Sequence, residues 1–285
     1  MMHVAIFVVN YRADDHLLRL VESIELAAAA SGRTSYEVHV LDNSCKDQQD
    51  ATDLQAELRN RKHAVALHST GRNDGYFGVL GLAQSLVPPE ADCVIYSNPD
   101  VMLADDFFVE LERGRTQGGV MAPAIVPVEG GSDQNPQYVD RLNAFKLRYL
   151  RAIYARQFTY SAFVTAARIR DRIREMLSRP GPAPDEESPE PRTIYAAHGA
   201  LFVFRDVGFF LSLPAYPCFL FCEELFVAEE ARRRGVRVVY NPCLRVSDVR
   251  HASISRLPSR AIRAYMHESV CYILTQYYDD PAGRR

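Results

Sequence analysis

Short apolar runs alternate with amphipathic stretches along the first half of the chain. The run Val4-Ala5-Ile6-Phe7-Val8-Val9 ends abruptly at Asn10 and reads as a buried strand. Six apolar residues are too few for a membrane span or a signal-peptide core. Asp14-Asp15 then opens a helix whose apolar positions, Leu17, Leu20, Val21, Ile24 and Ala28, recur at helical spacing until Gly32. Strands are predicted at 36–41, 64–67 and 93–96, and helices at about 47–60, 75–86 and 105–113. Repeated β-α-β units predict an α/β fold with a mostly parallel central sheet flanked by helices. Such sheets bind ligands at the carboxyl ends of their strands.

The alternation stops near 130, where Gly130-Gly131-Ser132-Asp133-Gln134-Asn135-Pro136 is loop chemistry. Residues 141–179 read as helical and basic: ten Arg and Lys residues face only Asp171 and Glu175, a local excess of eight positive charges. Phe145, Tyr149, Phe158, Ile169 and other apolar residues interleave with them, a pattern suited to an anionic membrane surface or to packing on protein. Residues 179–191 are Pro-rich and acidic, as in a linker. Alternation resumes at Thr193, with a strand at 201–204, a helix at 223–234, a strand at 236–240 and a last amphipathic helix at about 259–277. The expected organisation is therefore a first half of the main domain at 1–129, a basic helical insertion at 130–192, and a second half with the C-terminal helix at 193–285.

Composition narrows the class. A chain of 285 residues that is 47% hydrophobic suits one large domain with an insertion better than two equal domains. A net charge of −3 argues against nucleic acid as a partner. Of six scattered cysteines, Cys218 and Cys222 share the spacing of a helical turn. No CxxC pair or His/Cys cluster accompanies them, so reduced thiols in a cytoplasmic protein are expected rather than a zinc site.

Candidate chemistry follows the strands. Asn10-Tyr11-Arg12, Asp42-Asn43-Ser44 and Asn98-Pro99-Asp100 each end an apolar run, and in a parallel sheet all three converge on one edge. Asp42 suits a base N–H or a ribose hydroxyl, and Asp100 a hard divalent cation shared with substrate phosphates. Between them, Gly71-Arg72-Asn73-Asp74-Gly75-Tyr76-Phe77-Gly78 offers glycines for close backbone approach and Arg72 for phosphate. Glu223-Glu224 stand where the apolar Phe219-Leu220-Phe221 becomes a helix, a place that suits either capping or a general base.

In order and content these segments resemble the family 2 glycosyltransferases of GT-A (Rossmann-like) fold, especially their bacterial rhamnosyltransferase-like branch. The matching segments are Val8-Val9-Asn10-Tyr11, Val40-Leu41-Asp42-Asn43-Ser44, Asn73 to Gly78 with one extra residue, Asn98-Pro99-Asp100, Gly199-Ala200-Leu201-Phe202, and Phe219 to Pro242. The resemblance covers about 1–255 and leaves the basic insertion unexplained. It implies an inverting, metal-dependent transfer from a nucleoside-diphosphate sugar, dTDP-rhamnose or a UDP-sugar. The acceptor would be a hydroxyl of a glycan or lipid-linked glycan in bacterial surface polysaccharide synthesis.

Glu224 takes the place of the catalytic base. Asn10, Tyr11, Arg12, Asp42, Asn43, Arg72, Asn73, Gly78 and Asn98 fall on the donor side, and Gly199, Ala200 and Glu223 on the acceptor side. Asp100 and His251 are the metal candidates for Mg²⁺ or Mn²⁺. Asn98 replaces the first carboxylate of the usual DxD pair, and Asp248, not His251, falls nearest the family's late histidine. Peripheral contact with the inner face of a membrane through 141–179, and a homodimer, are left open. A sugar nucleotidyltransferase is the rival enzyme class, disfavoured because Asn10-Tyr11-Arg12-Ala13 lacks a Gly-rich basic loop. A non-catalytic sugar-nucleotide or glycan-binding module is the other rival, with Glu224 only capping its helix.

Overall fold

The computed structural model describes residues 1–45, 48–59, 61, 65–114, 118–177, 190–249 and 257–279. The uninterrupted apolar run near the N-terminus is β1 (Met2–Asn10), buried on both faces. Val4, Ile6 and Val8 pack with Leu17, Leu20, Val21 and Ile24 of α1 (Asp14–Ser31). On the opposite face Phe7 stacks on His39 and Phe210. Covering both faces is what removes the polar alternation of a half-exposed strand. α1 ends at Gly32, whose left-handed backbone (φ 61°) returns its N–H to the Ala28 carbonyl.

β2 (Thr34–Asp42), α2 (Gln48–Arg59), β3 (Val65–Ser69), α3 (Leu80–Ser85) and β4 (Cys93–Ser97) complete the first half. β5 (Val101–Leu103), α4 (Phe107–Arg113), β6 (Val120–Pro127), α5 (Ala144–Tyr154) and α6 (Gln157–Leu177) follow. The chain continues through β7 (Arg192–Ile194), β8 (Leu201–Phe204), α7 (Val207–Ser212), α8 (Glu223–Arg233), β9 (Val238–Asp248) and α9 (Ser259–Ile273). α9 closes in a π-helical turn, Leu274–Tyr278. Among the described residues the strands form one sheet of nine in the order β3-β2-β1-β4-β8-β6-β9-β5, with β7 also paired to β9.

Three features depart from the expected pattern. β8 runs antiparallel between β4 and β6, and β5 and β7 also run against β9, so the sheet is mixed with six strands in the main direction. Strand β6 was hidden in the sequence by Pro123 and Pro127. Pro123 sits where the β6–β9 register shifts, and Pro127 is the last residue of the strand. Both are places where a missing N–H is tolerated. The expected helix at 75–86 shrinks to Leu80–Ser85, because Gly75 holds φ +81° and 76–79 form a turn.

Contacts group the chain into two units. One comprises Met1–Arg141 with Glu190–Arg256, and holds the sheet. The other comprises Leu142–Pro189 with Leu257–Arg285, so the C-terminal helix groups with the basic insertion rather than with the half expected at 193–285. Within this second unit α5 packs on α9 and α6. Arg148 pairs with Asp279 at 2.6 Å, and Arg263 donates to the Tyr154 carbonyl at 2.6 Å. No described helix is long and apolar enough to cross a membrane.

Candidate active site

β2, β1 and β4 are parallel neighbours, with Asn10 level with Asp42 and Val8 level with Ser97. The three polar clusters therefore share one sheet edge. β8 enters from that edge and β9 leaves at it, which adds Gly199-Ala200 and Asp248. The Asn98 N–H donates to the Ala200 carbonyl at 2.9 Å and stitches β4 to the turn before β8.

Two residues expected on the donor side are engaged with neighbouring protein groups at this edge. The Asn10 side chain is buried and donates through Nδ2 to Asp42 Oδ1 and to Asp14 Oδ1, both at 2.9 Å. Its Oδ1 accepts from the Ala13 N–H at 3.3 Å. Asn43, also buried, donates to the Gly75 carbonyl at 2.9 Å and accepts from Thr70 Oγ1 at 3.0 Å. Asp42 Oδ1 also receives Ser44 Oγ at 2.5 Å, and Ser44 Oγ in turn accepts the Arg12 N–H at 2.7 Å. Arg12 lies over the Tyr11 ring, 5.6 Å from its centre, and takes a left-handed backbone (φ 51°).

In the 71–78 segment Gly71 faces open space, whereas Gly75 and Gly78 are packed closely against protein. A side chain at Gly75 would meet the Phe219 carbonyl oxygen at 1.9 Å, and one at Gly78 would meet the Asp74 carbonyl oxygen at 2.0 Å. Asn73 Oδ1 accepts the Gly75 N–H at 3.1 Å. Arg72 is exposed and paired with Asp74 at 2.8 Å. Phe77 meets Tyr96, Phe202, Tyr216 and Phe226 edge to face, tying this turn to β4, β8 and α8.

Asp100 and Asp248 meet where β5 and β9 pair, with Val101 level with Asp248 and the Val249 N–H donating to the Asp100 carbonyl at 2.9 Å. Burial, then repulsion from Asp248, pushes the Asp100 carboxyl up to about 6. Gln134 Nε2 donates to Asp248 Oδ2 at 2.7 Å. Two buried carboxylates facing each other suit a hard divalent cation, which would relieve their repulsion and take its remaining oxygens from phosphate and water. No group of three or more His, Cys, Asp and Glu able to hold a metal exists among the described residues. His251 lies outside the described residues.

Glu223 and Glu224 open α8 directly after Phe221 and Cys222, two consecutive non-glycine residues with left-handed backbone (φ 72° and 63°). Tyr216 Oη donates to the Phe221 carbonyl at 2.5 Å and braces the strained turn. Glu223 is buried, and desolvation, then the neighbouring Glu224, lifts its carboxyl to about 8. Glu224 is partly exposed, its carboxyl also raised by burial, and its Oε2 faces Gly199 at 3.9 Å from the position of a side chain there. At neutral pH the proton on Glu223 spares Glu224, the more accessible member, a second adjacent negative charge.

Two contributors were underweighted in the sequence. Asp248, noted only as falling nearest the family's late histidine, also ends an apolar strand just as Asp42 does. The stretch Asp133-Gln134-Asn135 is more than a loop: Asn135 Oδ1 accepts the His198 N–H at 2.7 Å beside Gly199, and Gln134 holds Asp248. Deeper in α8, Glu229 is fully buried, which alone would raise its carboxyl. Hydrogen bonds from Arg141 (2.6 Å), Tyr195 (2.7 Å) and Arg232 (2.9 Å) outweigh burial and hold it below the usual range.

No protein-family model matches the chain, and no curated protein sequence matches it. Among solved structures it is similar to GalNAc-T7 with UDP, GalNAc and Mn²⁺, at a TM-score of 0.64 and 15% identity. That match covers 98% of this chain, which spans about half (49%) of the length of the GalNAc-T7 chain. The fold, a mixed α/β domain with a central sheet flanked by helices, is similar to that of GT-A glycosyltransferases.

Proposed function

We propose that the chain is an inverting, metal-assisted glycosyltransferase that moves a sugar from a nucleoside diphosphate to a hydroxyl of a glycan or lipid-linked glycan. The observation that carries this reading is the split carboxyl pair: Glu224, partly exposed beside Gly199, next to buried Glu223 with its carboxyl near 8. The GalNAc-T7 structure, which contains UDP and Mn²⁺, supports the same class of donor and metal. Roles in bacterial surface polysaccharide synthesis and a choice of dTDP-rhamnose or a UDP-sugar as donor rest on the motif resemblance.

In this mechanism the Asp42 edge, built by Asn10, Asn43 and Ser44, receives the nucleoside. Asp100 and Asp248 are the residues that would hold Mg²⁺ or Mn²⁺, which supplies charge to offset the departing diphosphate. Glu224 takes the proton of the acceptor hydroxyl as its oxygen attacks the anomeric carbon from the face opposite the leaving group. A single attack inverts configuration. Glu223, protonated at neutral pH, leaves Glu224 free of a second adjacent negative charge.

The test is release of nucleoside diphosphate from a panel of donor sugars with and without acceptor. Glu224→Gln is expected to lower transfer roughly 10²-fold or more while donor binding persists. Near wild-type turnover in Glu224→Gln, with loss in Glu223→Gln, would reverse the roles of the pair. Pyrophosphate release from a nucleoside triphosphate and a sugar phosphate would instead indicate a nucleotidyltransferase.

A further inference from the structure

We propose that the outward faces of α5 and α6 bind an anionic lipid surface. The two helices each divide into a packed side and an outward stripe. On α5 the side chains of Leu147, Ile153 and Tyr154 are buried, whereas Phe145, Tyr149 and Ala152, at i, i+4 and i+7, are exposed. On α6, Tyr160 is buried and Phe163, Val164 and Ala167 are half-buried, whereas Phe158, Ala162, Thr165 and Ile169 repeat the same spacing in solvent. Phe145 is 77% exposed and Phe158 82%.

The placement of these side chains is selective. Phe145, Tyr149 and Phe158 are the only aromatic residues among the exposed large apolar side chains described, and all three lie on these two helices. Arg151, Arg156, Arg168, Arg170 and Arg172 are exposed on the same two helices and the turn that joins them. An aromatic stripe bordered by arginines is the arrangement that seats a helix at the headgroup boundary, rings among the acyl chains and guanidinium groups on phosphate.

Charge decides between occupants. Residues 141–179 carry eight more positive than negative charges. A symmetric contact between two copies would set that excess against itself, at a cost in like-charge repulsion. An anionic bilayer meets the same charge with its opposite. A polyanion in water, such as RNA, matches the arginines but leaves the aromatic stripe wet. The proposal stands independently of the catalytic reading, since it uses none of the residues of the sheet edge.

The chain contains no tryptophan, so Phe158→Trp in the full-length protein introduces a single emitter on the stripe. With vesicles of mixed phosphatidylglycerol and phosphatidylcholine at low salt, its emission is expected to shift to the blue and the protein to co-sediment. Pure phosphatidylcholine should give neither effect, and about 0.5 M salt should reverse both, because screening then acts within a few ångströms. Replacing Arg156, Arg168 and Arg172 with Gln should lower the partition coefficient about fivefold each, roughly a hundredfold together, with unchanged circular dichroism. No shift with phosphatidylglycerol, or an equal shift with phosphatidylcholine, overturns the proposal. So does an equal shift with heparin, which would mark a polyanion surface, or a shift that grows with protein concentration alone, which would mark a second copy.

Discussion

Glu223 carries a pH signature that needs no substrate. Its folded carboxyl, near 8, lies above the ordinary value of 4.5, so folding favours the protonated form. Its contribution is therefore fully present below about pH 4.5 and is lost as pH rises through 8. Glu223→Gln is expected to raise stability at pH 8.5 by on the order of a few kcal/mol and to change little at pH 4.5. Thermal melts of the two proteins at both pH values check this. An equal effect at both would mean that Glu223 is not held protonated. Asp100 and Asp248 make a second residue-level prediction. Either Asp→Asn change removes their repulsion, so each variant should melt higher than wild type without metal and gain less from millimolar Mn²⁺. Isothermal titration with Mn²⁺ and a nucleoside diphosphate provides the parallel binding measurement.

At the scale of elements, Gly75 links the two sides of the site. Its carbonyl accepts from Asn43 beside Asp42 at the sheet edge, and its α-carbon lies against the Phe219 carbonyl just before α8. Gly75→Ala must push one of them away and also strain a backbone at φ +81°. We expect a loss of about 2–4 kcal/mol in stability and impairment of both donor affinity and turnover, seen as KM and kcat moving together. Gly71→Ala, equally strained but facing open space, should lower stability less and leave donor affinity intact. The same elements show what was legible in the sequence. β1, β2, β4 and α8 were readable because burial on both faces or helical spacing writes itself into the residue pattern, and the polar clusters that end those strands do assemble on one edge. β5, with three residues, is too short to show a period, and β6 carries two prolines whose tolerance depends on its partner's register. The reversed direction of β8 leaves no local trace, because a fully buried strand reads the same both ways. The hydrogen bonds of Asn10 and Asn43 to protein were equally invisible, since they depend on Asp42, Thr70 and Gly75 arriving beside them.

At the scale of the whole molecule, the second unit is built from chain segments on either side of the sheet's later strands. α9 buries Val270 and Ile273, followed by Leu274 and Tyr277, and α5 packs against it. Removing Leu142–Pro189 alone is therefore expected to leave an apolar face on α9 and to lower soluble yield. Removing Leu257–Arg285 as well should recover it. Sedimentation of the two truncations after expression distinguishes these outcomes, and equal solubility would mean that α9 finds its burial elsewhere.

The strand order also bears on how the chain comes off the ribosome. β1, β2 and β3 pair only with one another and with β4, so this part of the sheet can form while synthesis is still under way. The far side of β4, however, is reserved for β8, and Ser97 must wait for Leu201 to emerge. Until then β4, an apolar strand, offers an unpaired edge to any other nascent chain. Contacts this distant in sequence form slowly. Chains arrested before β8 should be the aggregation-prone species, and holding β4 apart during that interval is work for a chaperone.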